Sequence, residues 1–157
     1  MKYILKEDNI KIYLNKIYLK NKKIEKDNTE KLIKDIIKKI EKNYEIKITG
    51  YYNVDIYIDK YYGIVIEMQK ETLEYFDYFE NKLDMNIKVY QDIFLYEIDP
   101  LYLNKKDYKI YFYNGKTYVK IKDKITNVKF AHLLENSKII YGETAKKIMR
   151  WLKCVNK

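Results

Sequence analysis

Between positions 32 and 40 the apolar residues Leu32, Ile33, Ile36, Ile37 and Ile40 recur at the spacing of one helical face. Lys31, Lys34, Asp35, Lys38, Lys39 and Glu41 fill the other side. Asp27, with Glu30 three residues on, predicts a capped start for this helix. From Glu45 the period shortens to two. Ile46 and Ile48 alternate with Glu45 and Lys47, and Val54, Ile56 and Ile58 alternate with Asp55, Tyr57 and Asp59. After a loop over Lys60 to Gly63, Ile64, Ile66 and Met68 alternate with Val65 and Glu67. The pattern predicts two or three antiparallel strands with one dry face.

The same reading extends in both directions. Tyr3 to Leu5 and Ile10 to Leu14 flank the turn-prone Glu7-Asp8-Asn9 and predict an opening hairpin. Thr72 to Leu83 predicts a short amphipathic helix, with Leu73, Phe76, Phe79 and Leu83 inward. Met85 to Tyr90 and Ile93 to Ile98, joined across Gln91-Asp92, predict a further hairpin. Thr126 to Glu135 predicts a helix, Lys138 to Tyr141 a last strand, and Gly142 to Lys153 a closing helix with Ala145, Ile148, Met149 and Leu152 on one face. Hairpins interrupted by helices predict an α+β fold: a mainly antiparallel sheet with about four helices packed on it. With one Pro, four scattered Gly and no low-complexity tract, residues 1–157 are expected to form a single domain.

The sharpest local feature is Asn114-Gly115 between two alternating runs, because a type I′ turn needs positive φ at both central positions. A two-residue loop pairs Tyr113 with Lys116, Tyr111 with Tyr118, Ile110 with Val119 and Lys109 with Lys120. Ile110, Phe112, Val119 and Ile121 are then expected in the core. Lys109, Tyr111, Tyr113, Lys116, Tyr118, Lys120 and Lys122 are expected in solvent. Lys109 facing Lys120 is unfavourable by some tenths of a kcal/mol, roughly, and an anion would relieve it. Interleaved rings and ammonium groups also suit a single strand of nucleic acid. An ordinary solvated face, with Lys guarding an edge strand, accounts for the same pattern.

Charge changes the picture because it is segregated. Residues 1–49, 50–100 and 101–157 carry net charges of +6, −7 and +10, which add to the formal +9. Opposite poles can meet a charged macromolecule or a second copy of the chain. The excess comes from 31 Lys, with Arg150 the single arginine. Lys, Asn, Ile and Tyr all have AT-rich codons, so the genome of a low-GC bacterium or one of its phages would give this composition without selection for binding. Scarcity of Arg disfavours base-specific readout, which leans on the guanidinium fork. One Cys, Cys154, excludes an intrachain disulfide or a Cys cluster and points to a reducing cytosol. His132 stands alone, which excludes a multi-imidazole metal site, and no glycine-rich phosphate loop exists. Neither a signal peptide nor a membrane span is read from the chain, and no cofactor or metal is expected.

Three candidate sites remain. Tyr51, Tyr52, Tyr61 and Tyr62 are expected to cluster around one end of the first long hairpin, and the Lys/Tyr face of residues 109–122 forms a second surface. Glu67, Glu71, Glu74, Asp77, Glu80 and Asp84 make an acidic patch able to steer a basic partner. Finally, residues 28–90 read helix, strand, strand, strand, helix, strand. With Asp55 on the second strand and Glu67-Met68-Gln69 on the third, this order resembles the core of the restriction-endonuclease-like nucleases. The resemblance implies Mg²⁺ held by Asp55 and Glu67, with Gln69 standing where Lys is usual. By elimination the leading expectation is a small, non-catalytic cytosolic protein whose tyrosines bind another protein, as an adaptor or a phage-type inhibitor does. A sequence-independent single-stranded nucleic-acid binder is the alternative, and the nuclease is third.

Overall fold

The computed structural model describes residues 1–19, 26–71 and 82–155, with side chains from 27 to 151 in the last two of these segments. The fold is α+β, built from two mostly antiparallel sheets of five and four strands with four helices among the described residues. The chain divides into two compact units, Met1–Ile58 with Tyr62–Tyr90, and Asp59–Tyr61 with Gln91–Lys157.

In the first unit β1 (Lys2–Lys6) and β2 (Asn9–Asn15) form the opening hairpin, closed by Glu7-Asp8 with Lys6 paired to Asn9. A short helix α1 (Lys16–Leu19) and the long α2 (Lys26–Tyr44) precede β3 (Gly50–Asp59), β4 (Gly63–Lys70) and β5 (Leu83–Gln91). The sheet runs β1-β2-β4-β3-β5. Its inward positions follow the period of two: Ile10, Ile12 and Leu14 on β2, Val54 and Ile56 on β3, Ile64, Ile66 and Met68 on β4. The α2 stripe of Ile33, Ile36, Ile37 and Ile40 belongs to the same buried cluster, so the helix dries that face. Asp27 lies inside the first helical turn and not at the cap. There its charge still complements the helix dipole. On the opposite face Val65 is also fully buried, against the expected alternation, and Tyr57 of β3 stacks on Tyr90 of β5 with centroids 5.5 Å apart.

One expected strand and one expected strand pairing are not found. Residues 46–49 carry no ladder. The amides of Ile46 and Ile48 donate to the carbonyl and carboxylate oxygens of Glu41, at 3.2 and 2.8 Å, and Glu45 takes a left-handed φ of 53°. These bonds tie off the C-terminus of α2 and take the donors of one edge of the expected strand. The expected hairpin across Gln91-Asp92 is likewise absent. β5 joins the first sheet, while β6 (Leu95–Ile98) lies in the second. Asp92 anchors the break between them: its carboxylate accepts from Ile93 N at 2.8 Å and from Gly142 N at 2.7 Å. The helix expected over Thr72 to Leu83 falls outside the described residues, apart from its last two positions, and Leu83 opens β5.

The second unit orders its sheet β7-β8-β6-β9, with β7 (Tyr108–Tyr113), β8 (Lys116–Ile121) and β9 (Ser137–Ile140). Helix α3 (Asn127–Glu135) is capped by Thr126, whose hydroxyl accepts from Lys129 N. Helix α4 (Gly142–Val155) closes the described chain. The Asn114-Gly115 turn has φ of 48° and 72°, both positive, and the register from Lys109↔Lys120 to Tyr113↔Lys116 is the one the turn dictates. Both sheet faces are covered within the unit. Ala145 and Ile148 of α4 pack with Leu95, Tyr111 and Tyr118 on one side. On the other, Tyr96 meets Phe130 of α3 edge to face. No described helix is long and apolar enough to cross a membrane.

Two glycines separate backbone strain from close packing. Gly63, at φ +124°, would place a Cβ 2.4 Å from the Leu14 carbonyl oxygen, whereas a Cβ on Gly115, at φ +72°, meets nothing. Gly63→Ala is expected to destabilise the protein by more than about 3 kcal/mol, and Gly115→Ala by only about 1–2 kcal/mol, in denaturant titrations. Equal losses would contradict this packing.

Burial pushes the Tyr62 phenol up to about 12 from its ordinary 10. Because the native state holds that proton more tightly, stability is intact below pH 10 and falls as pH rises towards 12. Wild type is expected to lose on the order of 2 kcal/mol more than Tyr62→Phe between pH 9 and 12, read by urea unfolding. Parallel losses in the two proteins would refute the assignment.

Candidate functional site

The tyrosines expected to form one cluster do not meet. Tyr51 and Tyr52 open β3, and Tyr62 immediately precedes β4, at the other end of the strand pair. About eight strand residues intervene, roughly 27 Å. Tyr52 and Tyr62 are buried, 4% and 7% exposed, and Tyr51 is half-buried. Desolvation raises the phenol pKa of Tyr52 as well as that of Tyr62. In the second unit Tyr61 is held by its hydroxyl, which donates to the Asp123 carbonyl, and by Lys60, 5.5 Å above its ring.

The Lys/Tyr hairpin keeps its expected register, and Val119 and Ile121 are buried as expected, but its tyrosine face is buried as well. Tyr111 and Tyr118 are each 6% exposed, whereas Phe112 is 66% exposed. Helix α4 lies on the tyrosine side, and its Ala145 and Ile148 need an apolar surface. Tyr rings supply that surface, since most of a tyrosine's area is apolar. Phe112 sits near the tip of the edge strand β7. The lysines of the tyrosine face stay at its margin, where long stems cross apolar surface and ammonium groups remain wet. Lys116 pairs with Glu97 at 3.0 Å, a hydrogen bond that raises the Lys116 pKa. Lys109 stands 5.6 Å over the Tyr111 ring. Desolvation is the main cause of the raised Tyr118 phenol pKa.

Acidic candidates are engaged locally. Glu67 pairs with Lys11 at 3.3 Å, Glu71 accepts from the Asn53 side-chain amide, and Asp84 accepts from Met85 N. Glu74, Asp77 and Glu80 lie outside the described residues. Asp55, Glu67 and Gln69 point to the sheet face opposite the α2 core, as their alternation requires. Only two strands, β3 and β4, follow α2 before the undescribed stretch, where the nuclease-like order calls for three. Among the described residues no group of three or more His, Cys, Asp and Glu could hold a metal ion. Of the two carboxylates that the resemblance assigns to Mg²⁺, Glu67 is engaged by Lys11 through one oxygen.

Described residues of the second unit line a smaller and a larger concavity. The smaller, about 240 Å³, is lined by Lys60, Tyr61, Phe94, Lys120 and Lys122 together with Asp59 and Asp92. Its buried Asp59 accepts from Tyr61 N at 2.8 Å and from Phe94 N at 3.1 Å, so that carboxylate organises backbone. The larger, about 460 Å³, is lined by Tyr113, Glu143, Lys147, Arg150 and Trp151. Tyr113 meets Trp151 edge to face with centroids 5.9 Å apart. Of the hairpin residues read as binding, Lys120 and Lys122 reach the first concavity and Tyr113 the second.

Sequence reasoning missed a third surface. Leu101 and Val128 are 88% and 80% exposed. Val128 and His132 are one helical turn apart on α3, and the His132 ring lies 6.4 Å from that of Tyr102, which is half-exposed. Leu101 and Tyr102 belong to a 3₁₀ turn, Pro100–Tyr102, whose start Asp99 caps by accepting from Leu101 N at 3.0 Å. The Asp-Pro-Leu-Tyr run was the available clue, since Pro fixes φ and a preceding Asp caps.

Comparison with known protein families, curated proteins and solved structures finds no match to this chain.

Removing a ring tests the burial of the tyrosine face. Tyr118→Ala is expected to cost about 3–5 kcal/mol and Phe112→Ala less than about 1 kcal/mol in urea unfolding. The opposite ranking would return the tyrosine face to solvent.

Proposed function

We propose that this chain is a non-catalytic cytosolic protein that binds another protein, through the apolar patch of Leu101, Tyr102, Val128 and His132. The observation that carries this reading is the display of Leu101 and Val128 at 88% and 80% exposure beside a Tyr–His ring contact. Isolated exposed apolar residues are common, but a contiguous set of them marks an interaction surface. The patch is also rigid. Pro100, the Asp99 cap and the bond from Leu103 N to the Pro100 carbonyl fix the turn before any partner arrives. Such pre-organisation lowers the entropy lost on docking.

Charge around the patch indicates the partner's chemistry. Residues 101–157 carry a net +10, and Asp107, one of their four acids, is already paired with Lys129 at 2.9 Å. An apolar anchor ringed by carboxylates would complement both features and would associate faster at low salt.

Full-length protein used as bait is expected to retain a stoichiometric protein partner. Leu101→Asp and Val128→Asp should each reduce recovery at least tenfold. Ile17→Asp, at an exposed apolar position on α1 (82%), should leave recovery unchanged. Equal recovery by all three variants, or loss of the partner on nuclease treatment, would overturn the proposal.

A further inference from the structure

A different surface of the second unit carries an independent inference. The single Trp and the single Arg of the chain are adjacent, at Trp151 and Arg150, and line the same 460 Å³ cleft as Tyr113 and Lys147. That volume lies within the range of small-ligand sites, about 300–1,000 Å³. Trp151 is 55% exposed although it touches Tyr113. The two rings meet at 80°, and in an edge-to-face pair one ring keeps a face that the other does not cover.

Cations surround these rings. Positions 143, 147, 150 and 151 are spaced i, i+4, i+7, i+8 and so share one side of α4. Ala145, on the far side of the helix, packs on the sheet, and Ile148, which neighbours Trp151 around the helix, packs there too, so this side flanks the sheet-facing stripe. Glu143, the acid in the lining, pairs with Lys146 at 3.2 Å. Lys147 and Arg150 have no ion-pair partner among the described residues. Lys109, on the hairpin face that also carries Tyr113, adds a further exposed positive charge.

We infer that this cleft binds single-stranded nucleic acid, one base stacking on Trp151 with Tyr113 against its edge while Arg150 and Lys147 hold the adjoining phosphates. The chemistry fits each part. An aromatic ring stacks on any base, so recognition needs no sequence. The guanidinium fork meets phosphate oxygens in two parallel hydrogen bonds, and an ammonium adds a point charge. A free nucleotide would use the same ring and one of the same charges, but it lacks the neighbouring phosphates that a strand supplies. The strand is therefore the better match to a cleft with several cations.

Because Trp151 is the sole tryptophan, its fluorescence reports on the site without a label. Titration of the full chain with a ten-nucleotide oligouridine at 50 mM salt is expected to quench that emission saturably. Neutralising two or three phosphates should weaken binding about tenfold between 50 and 200 mM salt. Arg150→Glu combined with Lys147→Glu should raise Kd at least tenfold with an unchanged circular dichroism spectrum. Trp151→Ala, followed by anisotropy of a labelled oligouridine, should raise it at least fivefold. Uridine monophosphate should bind at least a hundredfold more weakly than the strand. The inference falls if oligouridine leaves the emission unchanged or the variants bind like wild type. It falls equally if the monophosphate binds as tightly as the strand, or if a ten-residue polyglutamate quenches as well as the strand.

Discussion

Each sheet has to be dried by helices of its own unit, and the side chains spent on that covering are lost to any other role. In the first unit α2 supplies four Ile to a sheet face already rich in Ile, Leu and Val, and the match is apolar on both sides. In the second unit α4 offers Ala145 and Ile148, and the sheet answers with Leu95, Tyr111 and Tyr118. A tyrosine can serve there because most of its area is ring. Burying it removes several times the apolar area of a methyl group, and at about 25 cal/mol per Å² that outweighs the partial desolvation of one hydroxyl. The demand of α4 for a surface therefore overrides the polar character that alternation assigns to tyrosine.

This explains which parts of the fold were legible. The α2 stripe was legible because its five apolar positions leave one geometric solution. The Asn114-Gly115 turn was legible because its dihedral requirement fixes the register residue by residue. Alternation, however, says only that two faces differ. When both faces are covered it does not say which is drier, and Phe112 and Tyr118 then exchange expected places. Nor does it measure competition for donors. Ile46 and Ile48 alternate well, yet their amides are taken by Glu41. The separation of β5 from β6 depends on Asp92 reaching Gly142, fifty residues away, and no local pattern contains that bond.

Charge behaves in the same way. The three blocks suggested opposed surfaces, but much of the acid is committed at short range: Glu67 to Lys11, Glu97 to Lys116, Asp107 to Lys129. Exposed pairs of this kind contribute about 0–1 kcal/mol each. Their larger effect is subtractive, since they remove carboxylates from the field and leave particular lysines to define it. The basic character of the second unit is thus concentrated by pairing as well as by composition. Of the hairpin lysines expected in solvent, Lys109, Lys116 and Lys122 are exposed and Lys120 is half-buried. Trp151, whose ring meets that of Tyr113, was not read with this hairpin because it comes from α4, about forty residues further on.

What stability alone requires of these surfaces can be bounded. The contact of Trp151 with Tyr113 contributes about 0.5–1.5 kcal/mol beyond area burial, and a ring 55% exposed forgoes much of the burial a core position would give. Leu101 at 88% exposure gains almost nothing from its own side chain, yet an Asp cap, a Pro and a 3₁₀ turn hold its backbone in place. Ordering a backbone residue costs about 1–2 kcal/mol, so a fixed turn that displays an unburied leucine spends order without recovering apolar area inside the chain. A second surface that covers the leucine would recover that area, and with the loop already ordered the entropy cost would not be paid again on docking. The same reasoning gives Trp151 a role outside the core, because its uncovered area lies beside cations that no described carboxylate neutralises.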